Sequence, residues 1–248
     1  MKPDDFFIGW LPTPARYTQF LRPIILAALF TFLGIGLLVP SSQQSTGSAQ
    51  WNEGDEVTLT GTVDMLPYAI LRVQDQKLGN KTVFVVEMGK QGSHARLAAY
   101  QNQSVSLRGA LLHRDERWML ELADEPNSIQ AKPSVQAIPR PALHSLGTQT
   151  LRGEIVDSKC YLGAMKPGGG KTHKACAVLC LKGGIPPMFV TRDAQMFETY
   201  YLLTSIDGSA LSADCYSYVG DRIEVQGQVE QQGDLKLLRL DAQNIRRR

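Results

Sequence analysis

Two stretches of alternating apolar and polar residues, separated by a proline-rich segment, decide what most of this chain can fold into. Such alternation is typical of half-buried antiparallel strands. The stretches also correspond to each other, because Tyr100 matches Tyr218 and Gly109 matches Gly227 at a constant offset. Both glycines stand in mid-strand, where glycine commonly marks a bulge or a barrel corner. The pattern predicts an internal repeat of two small β units.

Each unit contains about five short strands, which fits a small Greek-key barrel of the OB type. Another small barrel or a sandwich would show the same alternation and is the alternative fold. The sequence therefore predicts a mainly β protein with two OB-like small antiparallel β-barrels, at residues 51–130 and 150–248. Residues 131–149 between them contain three prolines, a composition that suits a semi-rigid extended linker.

A long apolar segment lies near the N-terminus. Residues 20–40 contain a single charge, Arg22, and reach the roughly 20 residues that a transmembrane helix needs. Three basic residues precede the apolar run, and none follows it until Arg72. The positive-inside rule then places residues 1–19 in the cytoplasm and everything after the helix outside. The prediction is a single-pass protein of the inner membrane of a Gram-negative-type cell, with its C-terminal domains in the periplasm.

A cleaved signal peptide is the alternative, because Gly47, Ser48 and Ala49 are small residues before a possible cut. Two features favour an uncleaved anchor: the region before the apolar run is long, and Ala49 lies about nine residues beyond that run. Residues 41–50 are rich in Ser, Gln, Gly and Thr and are predicted to be a flexible spacer.

Three of the four cysteines lie in an insertion, residues 157–187, that the first unit lacks. The insertion occupies the connection after the first strand of the second unit, which borders the ligand face in OB barrels. Cys160 follows that strand. His173, Cys176 and Cys180 are spaced at i, i+3 and i+7, which places them on one face of a short helix. The comparison predicts a structural first barrel beside a functional second one.

These four side chains form a candidate Cys3His metal site, with Asp157 and Met165 as additional candidate ligands. A soft donor set of this kind suits zinc or copper and, with less precedent, iron. In an exported domain the same cysteines could instead form structural disulfides, with Cys215 as a further partner. They could also pack as small apolar side chains. Either alternative leaves the protein without a metal.

Several other functions are disfavoured by the sequence. The segment ending at Gly170-Lys171-Thr172 has Met165 where a phosphate-binding loop requires glycine. The spacing of Cys176 and Cys180 fits neither a haem-attachment motif nor the C-x-x-C of a thiol oxidoreductase. A net charge of +2 with scattered basic residues, in an exported chain, argues against a nucleic-acid partner.

The segment D-S-K-C-Y, followed by H-K-A-C-A-V-L-C and then G-G-I-P-P, carries a family resemblance. Residues 151–245 resemble a poorly characterised group of small exported bacterial proteins with an OB-like barrel. The resemblance implies the fold and marks a shared cluster, which consists of Cys160, His173, Cys176 and Cys180. It implies no particular activity.

Together these observations predict a membrane-anchored periplasmic accessory protein that binds a metal, or carries redox-active thiols, through its Cys3His cluster. Its expected partners are the inner membrane, through residues 20–40, and other membrane or periplasmic proteins in a complex. No independent catalytic turnover is expected. The alternative is a disulfide-stabilised periplasmic protein-interaction module without a metal.

Overall fold

The computed structural model describes residues 13–42, 48–75 and 79–248. Most of the predicted cytoplasmic segment, residues 1–12, and half of the predicted spacer, residues 43–47, lie outside these ranges.

A single helix, α1 (Ala15–Ser42), forms the first compact unit of the chain. Its most apolar window has a mean hydropathy of 2.3. At a rise of about 1.5 Å per residue the helix is about 42 Å long, which exceeds the roughly 30 Å of a bilayer core. The helix is therefore long and apolar enough to span a membrane. It begins earlier than the predicted span 20–40, directly after Pro14, because proline is favoured at the start of a helix.

The rest of the chain forms a second compact unit, which contains twelve strands in the described ranges. The first six strands are β1 (Gln50–Met65), β2 (Ala69–Asp75), β3 (Gly79–Val86), β4 (Ser104–Arg114), β5 (Arg117–Leu122) and β6 (Ile129–Ala131). The second six are β7 (Leu143–Asp157), β8 (Pro187–Arg192), β9 (Glu198–Ser205), β10 (Ile223–Gln232), β11 (Leu235–Leu240) and β12 (Ile245–Arg247). Two short helices, α2 (His94–Leu97) and α3 (Lys174–Lys182), accompany them.

Each set of six strands forms a closed five-stranded barrel with one short extra strand. The first barrel has the order β1-β2-β3-β5-β4 and closes by pairing of β4 with β1, while β6 adds to β4. The second has the equivalent order β7-β8-β9-β11-β10 and closes by pairing of β10 with β7. Among the strands that the structure describes, only β3 with β5, and β9 with β11, pair in parallel. This confirms the predicted mainly β fold with two OB-like barrels.

The mid-strand glycines occupy equivalent close approaches in the two barrels. A methyl group at Gly109 in β4 would overlap the carbonyl oxygen of Glu121 in β5. A methyl group at Gly227 in β10 would overlap the carbonyl oxygen of Arg239 in β11. Glycine therefore lets adjacent strands cross closely enough to turn the corner of a small barrel. The shared strand order agrees with an internal repeat, and the repeat itself stays a prediction.

The segment between the barrels is shorter than the predicted linker 131–149. Strand β7 begins at Leu143, where three residues pair with the end of β10. The last proline of the segment is Pro141, so every later backbone amide can donate to the sheet. The preceding residues are held on the first barrel, because the Ile138 amide donates to the Thr62 hydroxyl at 2.7 Å.

The two barrels pack against each other through a shared apolar core. Phe84 and Met119 of the first barrel belong to the same buried cluster as Leu162, Met188 and Leu202 of the second. Around this core, polar contacts join the first barrel to the turn between β10 and β11. The Thr82 amide donates to the Asp234 carboxylate, and the Arg117 guanidinium donates to the Asp234 carbonyl oxygen at 2.6 Å. Because Leu162 belongs to the insertion, this packing places the insertion against the first barrel.

Candidate metal centre

The first cysteine of the insertion is fixed by the turn that follows β7. After Asp157 the chain enters a π-helical turn, Cys160–Ala164. The Asp157 carboxylate accepts a hydrogen bond from the Cys160 amide at 2.8 Å, and both residues are buried. The buried carboxylate therefore satisfies an amide at the start of the turn and fixes where the Cys160 side chain begins.

The neighbouring Tyr161 fastens this turn to the first barrel. Within the second barrel, its hydroxyl donates to the Glu198 carboxylate of β9 at 2.7 Å. The Arg114 guanidinium of β4 lies 4.1 Å from the centre of the Tyr161 ring and donates to the Tyr161 carbonyl oxygen at 3.1 Å. A cation over an aromatic face, combined with a charge-assisted hydrogen bond, holds the turn in one position.

Helix α3 presents the other two cysteines of the insertion. It begins after His173 and ends at Lys182, with Gly183 as its cap, and Gly184 adopts a φ of +93°. Such a backbone conformation favours glycine at position 184, whereas a methyl group at Gly183 would overlap the carbonyl oxygen of Lys90. Cys176 is partly exposed on the helix, and Cys180, one turn further on, is buried. The sequence spacing is therefore realised as a helix whose cysteines face the preceding turn.

The structure gathers three thiols, Cys160, Cys176 and Cys180, which we call the thiol cluster. Their sulfur atoms all lie within 4.8 Å of one another. Three sulfur atoms bound to one zinc ion at about 2.3 Å would lie about 3.8 Å apart. A contraction of about 1 Å would therefore suffice to coordinate an ion. The thiol cluster could hold a metal ion.

His173 belongs to a second, adjoining group. Its ligand nitrogen, a carboxylate oxygen of Asp157 and the Cys160 sulfur lie within 4.8 Å of one another. The His173 Nε2 is 3.1 Å from the Asp157 carboxylate, and both side chains are buried. The predicted set of four ligands is thus divided into two groups that share Cys160, because the buried carboxylate binds the imidazole. Direct ligation by His173 stays a prediction.

The first barrel contributes a lysine that the sequence did not indicate. The Lys90 ammonium, in the turn after β3, donates to the Cys176 sulfur at 2.8 Å and lies 3.9 Å from the Cys180 sulfur. This turn contacts the end of α3, because the Gly92 amide donates to the Gly183 carbonyl oxygen at 2.9 Å. The sequence predicted a structural first barrel and a functional second barrel. This prediction is incomplete, since both barrels contribute side chains around the thiol cluster.

A second lysine supports the same contact from the opposite direction. Lys159 of the insertion is buried, and its ammonium donates to the carbonyl oxygens of Glu87 and Gly89. It also lies 3.1 Å from the Glu121 carboxylate, which compensates its charge inside the interface. These bonds position the turn that carries Lys90.

Within the thiol cluster, Cys160 and Cys180 differ in acidity. The Cys160 thiol donates a hydrogen bond to Cys180, which, together with burial, raises the pKa of Cys160. The same hydrogen bond lowers the pKa of Cys180 and outweighs the effect of burial. The hydrogen bond to Cys176 raises the pKa of Lys90. Of Cys160 and Cys180, Cys180 therefore ionises more readily, and a thiolate is the form that binds metals.

A cavity of about 540 Å³ opens beside the thiol cluster. Both barrels line it, and the predicted additional ligand Met165 is among the lining residues. Met88, which follows β3 in the first barrel, lines the same cavity. About half of each methionine side chain is exposed. Other side chains of the cavity wall include Trp51, Glu56, Leu122 and Ala164.

Cys215 lies apart from these groups. It is fully buried in the core of the second barrel, among residues that include Leu211 and Val219. Burial raises its pKa to about 11. All four cysteines of the chain are free thiols in the structure. Cys215 therefore acts as a small apolar side chain, as one of the sequence alternatives predicted for cysteines here.

Comparison with models of known protein families, with curated proteins and with solved structures gives no match for this chain.

Proposed function

We propose that this protein is a membrane-anchored accessory protein that holds one soft metal ion in its thiol cluster. The observation that carries the proposal is the convergence of three sulfur atoms from two separate elements, the turn after β7 and helix α3. Thiolates select soft or borderline ions such as zinc and monovalent copper. When bound, such an ion would supply a site for storage, transfer or electron exchange.

The chain's own residues would prepare the cluster in three ways. Cys180 has a lowered pKa and provides a thiolate, and the Lys90 ammonium, 3.9 Å from the Cys180 sulfur, favours this ionised form. Asp157 orients the turn that carries Cys160 and accepts from the His173 ring. Groups in such positions commonly orient metal ligands and raise metal affinity.

The location is part of the same proposal. Lys2, Arg16 and Arg22 all precede the charge-free apolar run of α1, and no Lys or Arg follows until Arg72. This asymmetry supports a cytoplasmic N-terminus and periplasmic barrels in the inner membrane. A reporter that is active only outside the cytoplasm, fused after Arg248, should be active. A reporter that is active only inside the cytoplasm should be inactive at the same position, and the reverse pattern would contradict this orientation.

The barrels would then serve as a scaffold within a membrane complex of other membrane or periplasmic proteins, without turnover of their own.

Metal content of the full chain tests the proposal. Purified in detergent without chelators or reductant, the protein should contain about one metal ion per chain by elemental analysis, because one thiol cluster binds one ion. Intact mass measured in parallel should show unoxidised thiols. A metal-free protein whose mass shows paired oxidised cysteines would contradict the proposal and support the disulfide-stabilised interaction module instead.

A further inference from the structure

We infer that the metal is monovalent copper, and that it reaches the thiol cluster through the cavity past the thioethers of Met88 and Met165. This inference rests on the proposed function, because it names the ion and the route for the same site. Three independent features of the structure support it: the number of donors, the thioethers in the cavity wall and the charge of Lys90.

The number of donors favours copper over zinc. Among the residues that the structure describes, the thiol cluster includes no histidine or carboxylate, since His173 belongs to the neighbouring group with Asp157. Protein zinc is almost always four-coordinate in structural sites. Monovalent copper is a softer ion, for which thiolate and thioether sulfur are preferred ligands. A site of three sulfur atoms therefore suits monovalent copper without a fourth ligand.

Met88 and Met165 indicate the route by which the ion reaches the thiol cluster. Met88 comes from the turn after β3 in the first barrel, and Met165 follows the π-helical turn of the second. Both line the cavity that also borders all three cysteines. They are 60% and 48% exposed, so burial in a core does not explain them. Thioethers bind monovalent copper, whereas zinc takes thiolate, imidazole and carboxylate ligands. Monovalent copper can therefore bind first to the two accessible thioethers and then to the three thiols beside them.

The charge of Lys90 disfavours a divalent ion. Its ammonium is 2.8 Å from the Cys176 sulfur, so an ion bound to that sulfur lies about 5 Å or less from a positive charge. The repulsion is proportional to the charge of the ion and is therefore twice as large for a divalent ion. The nearby Lys159 is compensated by Glu121 and adds little to this difference.

Uptake of copper by the full chain in detergent, under oxygen-free conditions, tests the inference. Monovalent copper is supplied as its complex with a coloured chelator, and the transfer rate is followed by the loss of colour. In the Met88→Leu, Met165→Leu double variant the rate should fall at least about tenfold, the lower range for losing a group that supports a metal site. The final copper content should stay unchanged, because the three thiols remain. Zinc uptake from a zinc-chelator complex should not change.

Met196→Leu is the matched control. Met196 is 55% exposed in the turn between β8 and β9 and does not line the cavity, so copper uptake in this variant should equal that of the wild type. Equal rates of copper uptake in the double variant and the wild type would overturn the inference. A double variant in which zinc uptake slows as much as copper uptake would also overturn it. Wild-type protein that binds zinc and excludes copper would overturn the inference alone. Protein that binds neither ion would overturn the proposed function as well.

Discussion

Replacement of Cys176 with serine is expected to abolish stable metal binding by the full chain. The substitution removes one of three sulfur donors and leaves a hydroxyl, which is a hard donor with little affinity for soft ions. The affinity should fall by more than about 100-fold, the upper range for loss of a supporting group outside the first coordination shell. Because Cys176 is only partly buried, the fold should tolerate serine there. Competition with a chelator of known affinity measures the change.

Two further variants make this result specific. Cys215→Ala removes a thiol that is buried in a different apolar cluster and should leave the metal content unchanged. His173→Gln keeps a polar side chain beside Asp157 and should lower metal affinity by about 10-fold to 100-fold if the imidazole only supports the ligands. Full metal content in Cys176→Ser would contradict the assignment of the thiol cluster. A loss in Cys215→Ala equal to that in Cys176→Ser would do the same.

The largest effect on stability is expected at Asp64, at the end of β1. Its side chain is 3% exposed and lies 2.5 Å from the Arg72 guanidinium, which is 5% exposed. Arg140 of the segment between the barrels binds the same carboxylate. Asp64→Asn would leave a buried guanidinium without its counter-charge, so the free energy of unfolding should fall by about 3 kcal/mol. Urea denaturation at pH 7 measures this loss.

The same loss should depend on pH. Burial raises the pKa of Asp64, but hydrogen bonds from Arg140 and Arg72 outweigh burial and hold the pKa below its ordinary value. A carboxyl group whose pKa is lower in the folded than in the unfolded state stabilises the fold fully above its unfolded pKa, about 3.9. This stabilisation is lost as the pH falls through the folded pKa. The difference between wild type and Asp64→Asn should therefore be full at pH 7 and smaller at pH 3.

Asp124→Asn provides the control for this comparison, because Asp124 is exposed and its substitution should change the unfolding free energy by less than about 0.5 kcal/mol. Two results would contradict the role given to the Asp64 carboxylate. One is a loss of unfolding free energy in Asp64→Asn at pH 7 that is no larger than the loss in Asp124→Asn. The other is a stability difference between wild type and Asp64→Asn that is as large at pH 3 as at pH 7.

The sequence predicted the barrels because their determinants are local. Alternation of apolar residues sets which side of a strand is buried, and Gly109 and Gly227 are required wherever two strands cross closely. It also predicted that Cys176 and Cys180 share a helix face, since that follows from helical periodicity. The start of β7 at Leu143 was missed because the prolines before it suggested an extended linker through residue 149.

The rest of the site could not be predicted from sequence, because it depends on how the barrels pack. Met88 and Lys90 lie in the turn M-G-K-Q-G, which contains no recognisable sequence motif. Lys90 reaches the thiol cluster, and Met88 the adjoining cavity, only because the turn contacts Gly183 at the end of α3. The position of His173 has a similar cause, since the carboxylate that holds it lies sixteen residues earlier, at the end of β7.

X-ray absorption at the metal edge of the purified full chain tests most directly whether the thiol cluster is a metal site. The account predicts one bound ion surrounded by about three sulfur atoms at roughly 2.3 Å, as for metal thiolates in proteins. A first shell of nitrogen and oxygen atoms without sulfur would contradict it.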